Sequence, residues 1–174
     1  YGSYPPPKAT ALNNPKTGFL IKGWADNAFD VMQSARVCLA PLRFGAGIKG
    51  KLLEAMIMQT PSVTTSIGVE GMHNDLPWSG KVANNTEDFA NAAVELYTDK
   101  TDFKHAQQAG NTLLNTVYDK VKLSAALINK IDAINSDLSA HREKNFTGQM
   151  LKHHTMRSTQ YMAQWIAEKN KKLD

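Results

Sequence analysis

At 174 residues, with 42% hydrophobic side chains and a formal charge of +4, the chain is long enough for one globular core and too weakly basic to suggest nucleic acid as its partner. Its one cysteine, Cys38, excludes an intrachain disulfide and a cysteine-based metal site, and fits a reducing compartment. No run approaches the ~20 apolar residues that span a bilayer, and no basic-then-apolar leader opens the chain, so the expected setting is soluble and cytoplasmic.

The first eighteen residues, rich in proline, glycine and asparagine, read as loop. The run FLIKG, Phe19–Gly23, predicts a short strand, and Asp26 is placed to cap a helix whose apolar face is Phe29, Val31 and Met32. RVCLAPL, Arg36–Leu42, is a nearly unbroken apolar run of the kind a parallel sheet buries on both faces. Leu52, Ala55, Met56 and Gln59 follow at helical spacing, Pro61 ends that helix, and SVTT, Ser62–Thr65, predicts the next strand. GKVA, Gly80–Ala83, is a weaker strand. The helix after it has Asn84 and Glu87 at capping-box spacing, with Phe89, Ala93 and Leu96 on one face.

The rest is helical in pattern. Leu113, Leu114, Val117 and Val121 form one apolar stripe, and Leu127, Ile131, Ile134 and Leu138 form another. Gly148 interrupts the last stretch, where Tyr161, Trp165 and Ile166 share a face amid lysines. Such a helix can dock on protein or lie on a membrane surface, and the narrow apolar face favours protein. His153 and His154, adjacent in sequence, diverge by about 100° on a helix and read as surface residues.

Strands alternating with helices over residues 1–100 predict an α/β fold with a doubly wound, mainly parallel sheet, followed over 101–174 by a helical region. Ligands of such sheets sit at the carboxyl ends of the strands. The connection PLRFGAGIKGKLLEAM lies at one of those ends. Glycines 45, 47 and 50 each cost a helix interior about 1 kcal/mol relative to alanine. They also leave backbone N–H groups unhindered at the positive end of a helix, which makes an anion site. Lys49 and Lys51 are unfavourable in that first turn unless a negative ligand compensates them, and a phosphate does so. Glu54, one turn further, is within reach of a ribose hydroxyl pair.

A glycine-rich turn can also serve only to pack helix closely on sheet. GAGIKG matches the letters of the dinucleotide fingerprint, yet the next predicted strand ends in Thr64 and Thr65, where an NAD-dependent oxidoreductase needs an acidic residue. The Gly-Lys-Ser/Thr ending of a P-loop is absent too.

The segment LAPLRFGAGIKGKLLEAMIMQTPSVTTSIGVEGM, Leu39–Met72, resembles the C-terminal, donor-binding domain of GT-B-fold glycosyltransferases, the group called glycosyl transferases group 1 or family 4. FLIKGWADNAFDVMQSARVCLAPL resembles the stretch that precedes it there, so the likeness covers about residues 1–100. It implies a Rossmann-like half of a GT-B fold that binds a nucleotide-diphosphate sugar and passes the sugar to a glycan or lipid-linked acceptor. The donor-site residues implied are Gly23 and Trp24 beside the base and the amides of Gly45, Ala46 and Gly47 at the diphosphate. Arg43, Lys49 and Lys51 are the side-chain candidates there, and Glu54 is implied at the ribose. Ala46 stands where the family often has a first glutamate, eight positions before Glu54.

No metal or cofactor is expected beyond the donor substrate, and the acceptor's catalytic base lies outside these residues. The likeness further implies a fragment, inactive alone, whose partner is the acceptor-binding N-terminal domain of the same enzyme and whose donor domain lacks its first strand. STQYMAQWIAEKN is the candidate crossing helix. Peripheral contact with the inner face of a membrane is left open, as is a second reading: a non-catalytic nucleotide-binding or protein-interaction module keeping the same fold.

Overall fold

The structure, a computed structural model, describes residues 1–171, apart from the side chains of 153–156. The chain divides into two compact units, Tyr1–Asp119 and Lys120–Asp174.

The first unit begins with a one-turn helix α1 (Pro7–Thr10) and a 3-10 turn (Pro15–Thr17). Helix α2 (Ala28–Ser34), strand β1 (Cys38–Ala40), helix α3 (Gly50–Ile57) and strand β2 (Ser62–Thr64) come next. Helix α4 (Ser66–Val69), strand β3 (Gly80–Val82), helix α5 (Thr86–Thr98) and helix α6 (Lys100–Thr116) complete the unit. The three strands are parallel, in the order β1-β2-β3, with Cys38 opposite Ser62 and Ser62 opposite Gly80. Helices cover both faces, and each face has its own core. On one side Ala40, Leu52, Met56, Met72, Trp78 and Leu113 pack together. On the other, Val63, Leu96 and Ala106 do so with Phe89 and Ala93 against them. This is an α/β, Rossmann-like arrangement.

β2 is buried along its whole length, as expected of a central parallel strand. Its polar side chains are satisfied internally: Thr64 Oγ1 donates to Ala40 O at 2.9 Å, and Ser62 Oγ accepts from Trp78 Nε1 at 3.1 Å. α3 stops at Ile57 because Gln59 turns to φ +60°, a left-handed conformation, two residues before Pro61. The cost of that backbone is met by anchoring: Gln59 Nε2 donates to Asn111 Oδ1 at 2.6 Å, and Gln107 Nε2 donates to Gln59 O at 2.8 Å.

Several expectations are corrected. FLIKG is not a strand: one isolated bridge joins Phe19 to Asn14, and Ile21 N donates to the Asn13 side chain. An extended run needs a laddered neighbour, and the hydrogen bonds of this one are taken up locally. The cap of α2 is Asn27, accepting from Phe29 N, rather than Asp26. The cap of α5 is Asn85, accepting from Asp88 N, rather than the pair Asn84 and Glu87. Asn84 is used elsewhere, accepting from Ser66 N and Oγ and so tying the end of β3 to the start of α4.

β1 is not buried on both faces, for Leu39 is 56% exposed. α5 covers Val63 on the central strand and leaves open a groove beside Leu39 and Ala93. The stripe Leu113, Leu114, Val117 packs on the first core and ends with Tyr118, whose hydroxyl donates to Met72 O at 2.8 Å. Val121 is exposed and lies in the second unit.

That second unit contains helix α7 (Lys120–Ser136), helix α8 (Leu138–Glu143) and helix α9 (Phe146–Lys171). Leu127, Ile131 and Leu138 are exposed, and Leu138 opens α8 instead of continuing the stripe of α7. Gly148 does not interrupt α9. It lies in the first turn, where its amide donates to Asn145 Oδ1 at 3.0 Å as the cap. The side chains of His153 and His154 lie outside the described ones. No helix among the described residues is long and apolar enough to cross a membrane.

Candidate functional site

β1 ends at Ala40, and the chain turns at once: Leu42 N donates to Ala40 O, and Leu42 O accepts from Thr65 Oγ1 at 2.6 Å. The carboxyl ends of β1 and β2 are thereby tied together. From here the glycine turn runs through exposed Arg43, Phe44, Gly45, Ala46 and Gly47 into α3. Gly47 has φ +65°, which a side chain would strain. The residue capping α3 is Lys49, with extended backbone and no side-chain cap. Among the described residues the amides of Gly45, Ala46, Gly47 and Ile48 donate to no protein acceptor. N–H groups without protein partners therefore lie just before the positive end of α3.

Lys49 differs from what its place in a first turn suggests. It is 8% exposed, and its Cε lies 3.8 Å from the point a Cβ on Gly45 would occupy, so the side chain folds back along the turn. Its Nζ donates to Glu70 O at 3.3 Å, on the loop after α4. No ion pair of Lys49 is present among the described residues. The stem of Lys49 is enclosed while its ammonium is only part-buried, and with one carbonyl partner and no carboxylate it keeps hydrogen-bond donors for an anion.

Lys51 is exposed in the first turn of α3. Burial pushes the Cys38 thiol up and the Lys51 ammonium partly offsets this, which places Lys51 within electrostatic reach of β1. Glu54 is half-buried one turn along. Among the described residues its carboxylate has neither an ion pair nor a hydrogen bond, so it is free to accept from a ligand's hydroxyls. Arg43 lines a groove of about 440 Å³ at the carboxyl ends of the strands, together with Leu39, Thr65, Asn85, Thr86 and Phe89.

Gly45, Ala46, Gly47, Lys49, Lys51 and Glu54 thus follow one another along the turn and α3, while Arg43 lines the groove walled by α5. Of the other two expected residues, Gly23 O accepts from Gly2 N at 2.6 Å, and Trp24 is 72% exposed. Glu70 lies 20 residues beyond Gly50, a spacing that in the loop SIGVEGM reads as coincidence for a dinucleotide site; what the sequence reading lacked is its backbone role, the carbonyl that accepts from Lys49 Nζ. The signal was present in SIGVEGM, a glycine-bearing loop directly after a strand end, where a parallel sheet gathers its ligand contacts.

Residues 1–99 match the model of the family described as glycosyl transferases group 1. No curated protein and no solved structure matches the chain. The matched region holds the whole parallel sheet, the glycine turn and the buried lysine beneath it, and the chain belongs to the glycosyl transferases group 1.

Proposed function

We propose that the glycine turn binds the diphosphate of a nucleotide sugar, and that the chain is the donor-binding part of an enzyme transferring that sugar to an acceptor in glycan synthesis. The observation that carries this reading is Lys49: a part-buried ammonium with one carbonyl partner and no carboxylate, on a turn whose amides have no protein acceptors, fits a ligand with adjacent phosphate groups. In transfer, negative charge develops on the departing nucleoside diphosphate. Amides and an ammonium already oriented around that position stabilise it without reorganising, and no water has to be rearranged around them. Glu54, accepting from the ribose hydroxyls, fixes the nucleoside so that the phosphates lie at the helix tip. Lys51 and Arg43 add long-range attraction for the anion.

Titration of the chain with UDP, GDP and NAD tests this. A nucleoside diphosphate is expected to bind, with affinity lowered about tenfold or more by Glu54→Gln, on the scale of a charge-assisted hydrogen bond. Lys51→Ala is expected to weaken binding most at low salt. Binding of NAD alone, or of a nucleoside diphosphate with no loss in either variant, would contradict the reading.

Ala46 favours a second reading, since a carboxylate to the donor sugar is absent there. On it the chain is a non-catalytic module that binds nucleotide or a protein. The two part on turnover: the enzyme reading expects transfer when an acceptor-binding domain is joined to this chain and none from the 174 residues alone.

A further inference from the structure

Among the described residues, Lys49 Nζ hydrogen-bonds one residue outside its own turn, Glu70, and that residue carries a carboxylate. The Glu70 backbone is firmly held. α4 ends at Val69, the chain turns at Gly71 with φ +70°, and Val69 and Met72 are both buried in the first core. Met72 O also accepts from the Tyr118 hydroxyl at 2.8 Å. Between these anchors Glu70 O accepts from Lys49 Nζ at 3.3 Å, and the Cε of the same lysine lies 3.8 Å from where a Cβ on Gly45 would stand. One ammonium thus links the glycine turn to a residue with an exposed side chain, on the connection that leaves the carboxyl end of β2.

A carboxylate beside a site for phosphate groups repels them, so it weakens anion binding unless it has a contact of its own to make. Glu70 makes none within the described residues: Lys49 is engaged through the carbonyl, and the carboxylate has neither an ion pair nor a hydrogen bond. An ionised carboxylate only accepts, so its complement is a group rich in hydroxyl donors. A nucleotide sugar carries two such groups, one at each end of its diphosphate. With Glu54 at the ribose, the sugar is the one left.

We infer that Glu70 reads the donor's sugar, its carboxylate accepting from ring hydroxyls while the diphosphate lies at Lys49 and the glycine turn. The inference rests on the donor-site reading and deepens it by naming the sugar's class: neutral and polyhydroxylated where it meets Glu70, since a uronate there would be repelled.

Calorimetric titration of the full chain and of Glu70→Gln with UDP, GDP, UDP-glucose, UDP-N-acetylglucosamine and GDP-mannose tests it. The substitution keeps the size of the side chain and the backbone carbonyl that Lys49 uses. A nucleotide sugar is expected to bind about tenfold or more weakly to Glu70→Gln, through loss of a charge-assisted hydrogen bond, while its free diphosphate binds as in the parent or slightly more tightly. Glu54→Gln should weaken both ligands alike. Equal changes in both ligands on Glu70→Gln would overturn the inference, as would no change in either, or a parent that binds a diphosphate and none of the three sugars. An effect seen only with added magnesium would overturn it too, by assigning the carboxylate to a cation. Failure of the donor-site reading is a different result, in which no nucleoside diphosphate binds the parent.

Discussion

The Lys49 ammonium, part-buried above an enclosed stem, uses one of its three donors on Glu70 O, whereas Ser79 Oγ, buried between sheet and helix, gives its one proton to Ala106 O at 3.1 Å. That contrast separates a group kept for a ligand from groups kept for packing. Position 80 shows the opposite case, a residue chosen by space alone. Gly80 has φ +145°, and a Cβ there would lie 1.8 Å from Ser62 O on the neighbouring strand. Gly80→Ala is expected to cost on the order of 3 kcal/mol through backbone strain and overpacking, read as a fall in the urea midpoint. A variant as stable as the parent would show that β2 and β3 can separate freely. The glycines of the turn, Lys51 and Glu54 were legible in sequence because their spacing after a strand carries physical meaning. The burial of Lys49 was not, because a lysine in a first helical turn reads as solvated and only the loop carrying Glu70 closes over it.

Among the elements, β3, α5 and α6 are joined by one charged cluster. Lys81 Nζ lies 2.7 Å from Asp102 Oδ2 and 3.1 Å from Glu95 Oε1. The Lys81 hydrogen bond holds the Asp102 carboxyl below its ordinary 3.8, and the Asp102 hydrogen bond holds Lys81 above its ordinary 10.5. A lowered carboxylate contributes stability above its unfolded value, which is lost as pH falls through the folded one. A raised lysine contributes below its unfolded value and loses that as pH rises through the folded one. Stability from this cluster is therefore expected to be level between about pH 5 and 9 and to decline on both sides. Lys81→Met should flatten the acid limb of a plot of melting temperature against pH, and an unchanged limb would remove the cluster from the account. Legibility at this scale followed the same physics. β1, β2 and β3 fell where apolar runs end in turn residues, while FLIKG failed because an apolar run becomes a strand only when a neighbour accepts its backbone bonds.

At the scale of the molecule, every buried hydrophobic residue described lies between Cys38 and Leu113, within the first unit. A chain ending at residue 119 is accordingly expected to keep a cooperative thermal transition, and its loss on truncation would show that the second unit completes the core. The exposed second unit was the least legible part, because helical spacing announces an apolar face without saying what covers it.

The donor-site account stands most directly on Lys49→Met, a substitution that keeps the volume and removes the charge. Calorimetry with a nucleoside diphosphate and thermal unfolding without it should be measured on the same sample. The account predicts a melting temperature equal to or above the parent's, since an enclosed stem is kept and no ion pair is lost, with binding weakened by roughly tenfold or more. A clear fall in melting temperature with binding intact would contradict it, and would make Lys49 a structural strut rather than the counter-charge of a diphosphate.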